Sequence, residues 1–261
     1  MIFESHAHYD DKAFDKDRDD LLKSFLENGI GYVVNIGSTM EDSKETIELT
    51  RNYPFIYGSI GVHPGGTENL NENDISTLAD MAKEQKVVAI GEIGLDYYWD
   101  TPSRDIQKKW FERQLHLAKG VKLPVVIHSR DAARDTYEII KEADLNEYKG
   151  VIHCFSYSKE VAKQYIDLGY YIGVGGVVTF KNGRKLKEVV EYTPLENILL
   201  ETDAPYLAPE PNRGKRNTSL NLKYIAAEIA KIKNIEYDKV IQTTRENALK
   251  LFKIAKDRNE A

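Results

Sequence analysis

Residues 31–42 read GYVVNIGSTMED. The first seven, 31–37, form a short run of Tyr, Val and Ile, the composition of a buried parallel strand. The turn after that run decides the fold. In an open doubly wound sheet, an early strand of this kind turns into a helix through a glycine-rich phosphate loop. GSTMED is a poor match to that fingerprint, which leaves the other architecture that buries parallel strands on both faces, the closed (β/α)8 barrel.

Working outward, seven more runs of the same character appear: MIF at the start, 55–61, 87–94, 124–129, 150–155, 170–176 and 198–203. Helical patterns lie between them. Leu21, Leu22, Phe25 and Leu26 form one apolar face, and Leu222, Ile225, Ala226, Ile229 and Ile232 another. A last helix carrying Val240, Ile241, Thr244, Ala248, Leu251 and Phe252 is expected to pack across the barrel wall. Eight strand–helix units in 261 residues predict an α/β chain of the TIM-barrel kind. With no linker, repeat or low-complexity tract, the whole chain, 1–261, is expected to be one domain.

Composition narrows the class. At 41% hydrophobic and 30% charged residues the chain is an ordinary globular sequence. A single cysteine, Cys154, excludes an internal disulfide framework and fits a reducing, cytoplasmic setting. Charged residues come directly after Met1-Ile2-Phe3 and no apolar run approaches spanning length, so neither a signal peptide nor a membrane is expected. A formal charge of −6 argues against a protein that coats nucleic acid by long-range attraction, though not against local phosphate binding.

Five of the six histidines fall at strand ends: His6 and His8, His63, His128 and His153. Glu92 ends the fourth run and Asp203 the eighth. The C-terminal strand ends of a barrel open onto one mouth, so these distant residues are expected to converge. Period 2 puts His6 and His8 on one face, where two imidazoles can serve one ion. Six ligands exceed what one open catalytic metal needs. A pair of divalent ions (Mg, Mn or Zn) is therefore expected, bridged by Glu92, with His6, His8 and Asp203 on one and His128 and His153 on the other. Asp203 is also a candidate proton acceptor. The same parity turns Glu4 and Glu201 inward, as orienting groups or interior hydrogen-bond partners, and turns Cys154 outward into packing.

Ordered motifs give the chain a family resemblance. ESHAHYD (4–10), GVHPG (61–65), GEIGLDYY (91–98), PVVIHSRDA (124–132), HCFS (153–156), GVVTFKN (176–182), LLETDAPYLAP (199–209) and NRGKRN (212–217) resemble, in sequence, the TatD family of metal-dependent deoxyribonucleases. The resemblance implies a barrel hydrolase that cleaves DNA phosphodiesters, often from the 3′ end. It implies the same six metal ligands, and it places His63, Arg130 and the NRGKRN loop near the substrate phosphate. Glu4 stands where the family usually has aspartate, Gly65 where a polar residue is common, and Thr218-Ser219 where Glu-Pro is usual.

The residues support a phosphate substrate in their own right. Arg213, Lys215 and Arg216 cluster after the eighth strand, where barrels often bind phosphate. Lys181, Arg184 and Lys185 could extend that rim, and Tyr97, Tyr98 and Trp99 could stack a terminal base or pack as a lid. The expected partner is a DNA end, with no obligate protein partner. Two other readings stay open: an amidohydrolase-like enzyme on a small amide or lactone, and a metal-binding scaffold without turnover.

Overall fold

The computed structural model describes residues 1–255. Eight parallel strands pair strictly in chain order. They are β1 (Ile2–Ala7), β2 (Ile30–Ile36), β3 (Ile56–Ile60), β4 (Val87–Asp96), β5 (Val125–Arg130), β6 (Gly150–Ile152), β7 (Tyr171–Val174) and β8 (Ile198–Leu200). The ring closes just past β8. Ala7 and Ala204 form a parallel bridge, the Asp203 N–H donates to the His6 carbonyl at 2.9 Å, and the His8 N–H donates to the Ala204 carbonyl at 2.8 Å. The expected (β/α)8 barrel forms.

A helix comes after each strand: α1 (Arg18–Lys23), α2 (Met40–Asn52), α3 (Glu72–Met81), α4 (Arg104–Val121), α5 (Ala133–Ala143), α6 (Lys159–Asp167), α7 (Arg184–Tyr192) and α8 (Leu222–Lys233), with α9 (Tyr237–Leu251) closing the series. The GSTMED segment is a helix start. The Thr39 hydroxyl accepts the Asp42 N–H at 3.1 Å, and Glu41 and Asp42 occupy the first turn, where carboxylates favour the dipole. The first predicted helix is shorter than its apolar pattern. α1 stops at Lys23; Leu22 and Phe25 are buried, but Leu26 lies exposed in a 3-10 turn closed by Gly29 at φ 80°.

Two apolar layers result. Outward positions such as Val33, Ile60, Ile127 and Ile172 pack against the helices. Phe3, Tyr32, Val34, Val88, Val126, Val151 and Leu199 face the barrel axis. The last helix does more than cross the wall. It contacts β1 and β8, and its end, with Ala248, Leu251, Phe252 and Ile254, joins the axial layer and plugs the floor of the barrel. Phe252 stacks on Phe3 at 5.9 Å between ring centroids. The open end is thereby the other one, where the strands stop. Among the described residues no helix is long and apolar enough to cross a membrane.

Candidate metal centre

All six sequence-predicted ligands meet at the C-terminal mouth, around Glu92. Its Oε2 lies 3.5 Å from His6 Nε2 and 3.8 Å from His8 Nε2. Its Oε1 lies 2.7 Å from His128 Nδ1 and 2.9 Å from His153 Nε2. Asp203 Oδ1 completes the first group, 3.4 Å from His8 Nε2 and 3.7 Å from His6 Nε2. His63 stands at the edge of the second, its Nε2 3.9 Å from Glu92 Oε1 and its ring edge-on to His128.

The backbone explains these positions. β1 carries His6, and His8, one residue past its end, shares that face, as alternation requires. It does not carry Glu4 there: Phe3 belongs to the axial layer and Ala7 to the outer one, so the phase slips between them, at an irregularity in the β1–β2 register. Glu4 points outward instead. Its carboxylate accepts the His6 and Thr202 N–H groups and contacts the Thr202 and Ser219 hydroxyls. β6 and β8 are shorter than the sequence suggests, so His153 and Asp203 sit just beyond strand ends. Cys154 takes φ 44° and Asp203 φ 59°, left-handed values unusual for side-chain-bearing residues. The turn at Cys154 ends the alternation, and the cysteine lines the cavity with His153, contrary to the outward packing expected of it.

Second contacts fix the rings. His8 Nδ1 is 2.8 Å from the Ile36 carbonyl, an acceptor only, so Nδ1 holds a proton and Nε2 faces the centre. His128 Nε2 lies 3.1 Å from Asp96 Oδ2. Sequence reasoning passed over Asp96, although Glu92, Gly94 and Asp96 share a face of β4 by simple alternation. Asp96 is itself held: Oδ1 accepts the Tyr98 and Trp99 N–H groups, and its own peptide N–H and C=O pair with the buried Gln107 amide.

The cluster attracts positive charge. Burial opposes it, but His153, His128 and His6 hold the Glu92 carboxyl well below its ordinary range. Burial likewise works against charging His8, yet Asp203 and Glu92 raise it to about 10. His128, also buried, is raised to about 9 by Asp96 and Glu92. Two imidazole Nε2 atoms 3.2 Å apart, those of His6 and His8, need a proton or a cation between them and the carboxylates. Mixed imidazole and carboxylate donors with converging lone pairs fit a divalent ion.

The centre opens into a cavity of about 1630 Å3. Arg130 lines it, its guanidinium 3.9 Å over the Tyr98 ring, and Tyr206 and Leu207 line it as well. Tyr98 and Trp99 are exposed, whereas Tyr97 donates to Asp135 at 2.7 Å and packs under Arg104. The basic loop after β8 stands apart from this lining. Arg213, Lys215 and Arg216 lie outside the cavity lining; Arg213 covers Phe180, and Arg216 makes two bonds to Asp17 and caps Phe14, so it is already paired. Arg184 pairs with Glu188.

The sequence profile described as TatD related DNase matches residues 3–253. This chain belongs to the TatD family. It is 40% identical to an uncharacterized metal-dependent hydrolase of Bacillus subtilis, YabD, over 97% of this chain and 100% of that one. It is 32% identical to a protein of Citrobacter koseri named 3'-5' ssDNA/RNA exonuclease TatD, over 97% of this chain and all of that one. The crystal structure of the Escherichia coli TatD homologue YjjV superposes with a TM-score of 0.92 at 32% identity, covering 97% of this chain and 98% of that one. The TatD chain described here is thus a metal-dependent hydrolase on a barrel that its relatives share.

Proposed function

We propose that this TatD protein is a two-metal phosphodiesterase that trims nucleic acid from 3′ ends, with DNA as its substrate. The observation that carries the reading is the split of Glu92. One oxygen faces His6 and His8, the other His128 and His153, which is the arrangement of a bridging carboxylate between adjacent cation sites. His6, His8 and Asp203 would hold one divalent ion, and His128 and His153 the other. Such ions supply Lewis acidity at a phosphoryl oxygen and lower the pKa of water.

The chain's own groups do the rest. Asp203 is the most exposed of the carboxylates in the cluster, with 16% of its side chain open to the cavity, and it is held ionised against burial by His8. It serves as the proton acceptor. His63 Nδ1 accepts the Gly65 N–H at 3.1 Å, so its Nε2–H points into the site as a donor to a phosphate oxygen. Arg130 supplies a planar guanidinium at the lip. The wall on the α2 side carries Asp10, Asp11, Asp15, Asp42 and Glu45 against Lys12 and Arg18, the latter paired with Asp15, and so is acidic on balance. A polyanion is repelled from that wall and leaves over the Arg130 lip, which suits the binding of a terminal segment.

The test uses end-labelled single-stranded DNA with metal-stripped protein and with protein restored by Mg2+ or Mn2+. A ladder that shortens from the 3′ end only after restoration is the expected result. Endonucleolytic fragments, or no cleavage with any ion, would refute the reading. In the same assay Arg130→Ala should raise KM for DNA about tenfold, the effect of one lost charge-assisted contact, with bound metal unchanged.

A further inference from the structure

Beside the metal centre lies a second, smaller hollow that the chemistry above leaves unused. It measures about 240 Å3 and sits between the turn after β6 and the segment joining β7 to α7. Phe155, Val177 and Leu186 give it apolar walls, and Asn182 and Lys185 stand exposed at its rim. Cys154 and Ser156 line both this slot and the main cavity, so the two join directly after His153 in the chain. The walls are formed before any ligand arrives. Val177 belongs to a 3-10 turn, Gly176–Thr179, whose Thr179 hydroxyl accepts the Glu210 N–H at 2.9 Å. Gly183 packs so closely on the Val177 carbonyl that a Cβ there would collide with it. Phe155 is buried, and its ring meets Tyr157 and Tyr165 edge-on.

The chemistry of the slot selects what can fill it. A phosphate or a sugar would give up its water against apolar walls without return. At about 240 Å3 the slot is smaller than sites that enclose a whole drug-sized ligand, and it has room for one ring system. A nucleobase has apolar faces and a polar edge, which matches walls of Phe, Val and Leu beneath a rim that carries an amide and an ammonium. Asn182 can donate and accept along such an edge, and Lys185 can donate. We propose that the slot receives the base of the 3′-terminal nucleotide while the 5′-phosphate of that nucleotide lies at the metal centre. This inference rests on the 3′-end nuclease reading. A nucleotide released from a 3′ end carries the attacked phosphorus as its own 5′-phosphate, so its base must lie one sugar away from the metal centre. The wall shared at Cys154 and Ser156 supplies that adjacency.

Calorimetry on Mn2+-loaded protein compares dAMP with 2-deoxyribose 5-phosphate, which has a hydroxyl where the base stands. The wild type should bind dAMP about tenfold more tightly, the worth of enclosing one base. Val177→Trp fills the slot and should bring dAMP down to the affinity of the sugar phosphate. Ser156→Trp, at an exposed position on the other wall, should do the same and decides the matter if the first variant does not fold. In cleavage, an oligonucleotide that ends in a 3′ abasic unit should react about tenfold more slowly than one that ends in a base, and Val177→Trp should erase the difference. Equal affinities of dAMP and the sugar phosphate for the wild type, or a preference that survives both substitutions in folded protein, would overturn the proposal. A preference that is lost on filling the slot, in protein that cleaves no DNA, would support the slot and count against the nuclease reading alone.

Discussion

Asp96 shows how much a single side chain depends on its surroundings. It holds the far nitrogen of His128, and two peptide N–H groups and the Gln107 amide hold it in turn. Asp96→Asn should leave the fold intact and lower metal affinity about 10–100-fold, read by metal content after dialysis. Glu92→Ala should be harsher, removing the shared carboxylate and with it hydrolysis; wild-type turnover in that variant excludes the two-metal arrangement. Protons compete for the same atoms. His8 and His128 are raised to about 10 and about 9, so at pH 7 the metal-free protein carries both as cations. Metal uptake at pH 7 should therefore release protons, and affinity should climb with pH toward 9. Calorimetry in buffers of different ionisation enthalpy measures that release. At this scale the histidines, Glu92 and Asp203 were readable because strand ends converge in any barrel. Asp96 was equally readable from alternation and was missed. Glu4 and Cys154 were misread because alternation itself breaks, at a register slip in one case and at a strand end in the other.

At the scale of elements, strand existence was plain from short Val- and Ile-rich runs, and strand ends were not. The runs at 150–155 and 198–203 extend past the last paired residues, Ile152 and Leu200, and composition alone does not fix where pairing stops. Long-range contacts decide it, including the Glu201–Cys154 bond. The role of α9 was hidden for a similar reason. Its apolar face announces packing, but periodicity does not say that Phe252, just after its last turn, enters the barrel floor against Phe3. Phe252 is 2% exposed, so Phe252→Ala should cost about 3–5 kcal/mol in denaturant unfolding. A loss below about 1 kcal/mol would show that the floor does not depend on that ring.

For the whole molecule, the fold came from counting eight strand–helix units and from rejecting a phosphate loop at GSTMED, whose true use is the Thr39 cap of α2. The basic loop was less legible: charge in sequence does not reveal that Arg216 is paired with Asp17. Stability should carry a pH signature of the closure seam. Burial lifts the Glu4 carboxyl from 4.5 to about 8, despite its bonds to Thr202, His6 and Ser219. The folded chain thus keeps a proton that the unfolded chain sheds above 4.5. The contribution of Glu4 is whole below that value and is lost as pH rises toward 8. Metal-free protein should unfold more easily at about pH 8 than at about pH 5.5, and Glu4→Gln should flatten that slope.

The seam has a further consequence, for how the protein is made. Of the six candidate ligands, His6 and His8 are made first and Asp203 last, yet all three stand at the junction of β1 and β8. A growing chain therefore cannot bring these groups together until β1 has met the segment after β8. A polypeptide cut short before the eighth strand would lack Asp203 and the closing bridge to β1, and with them one side of the cluster.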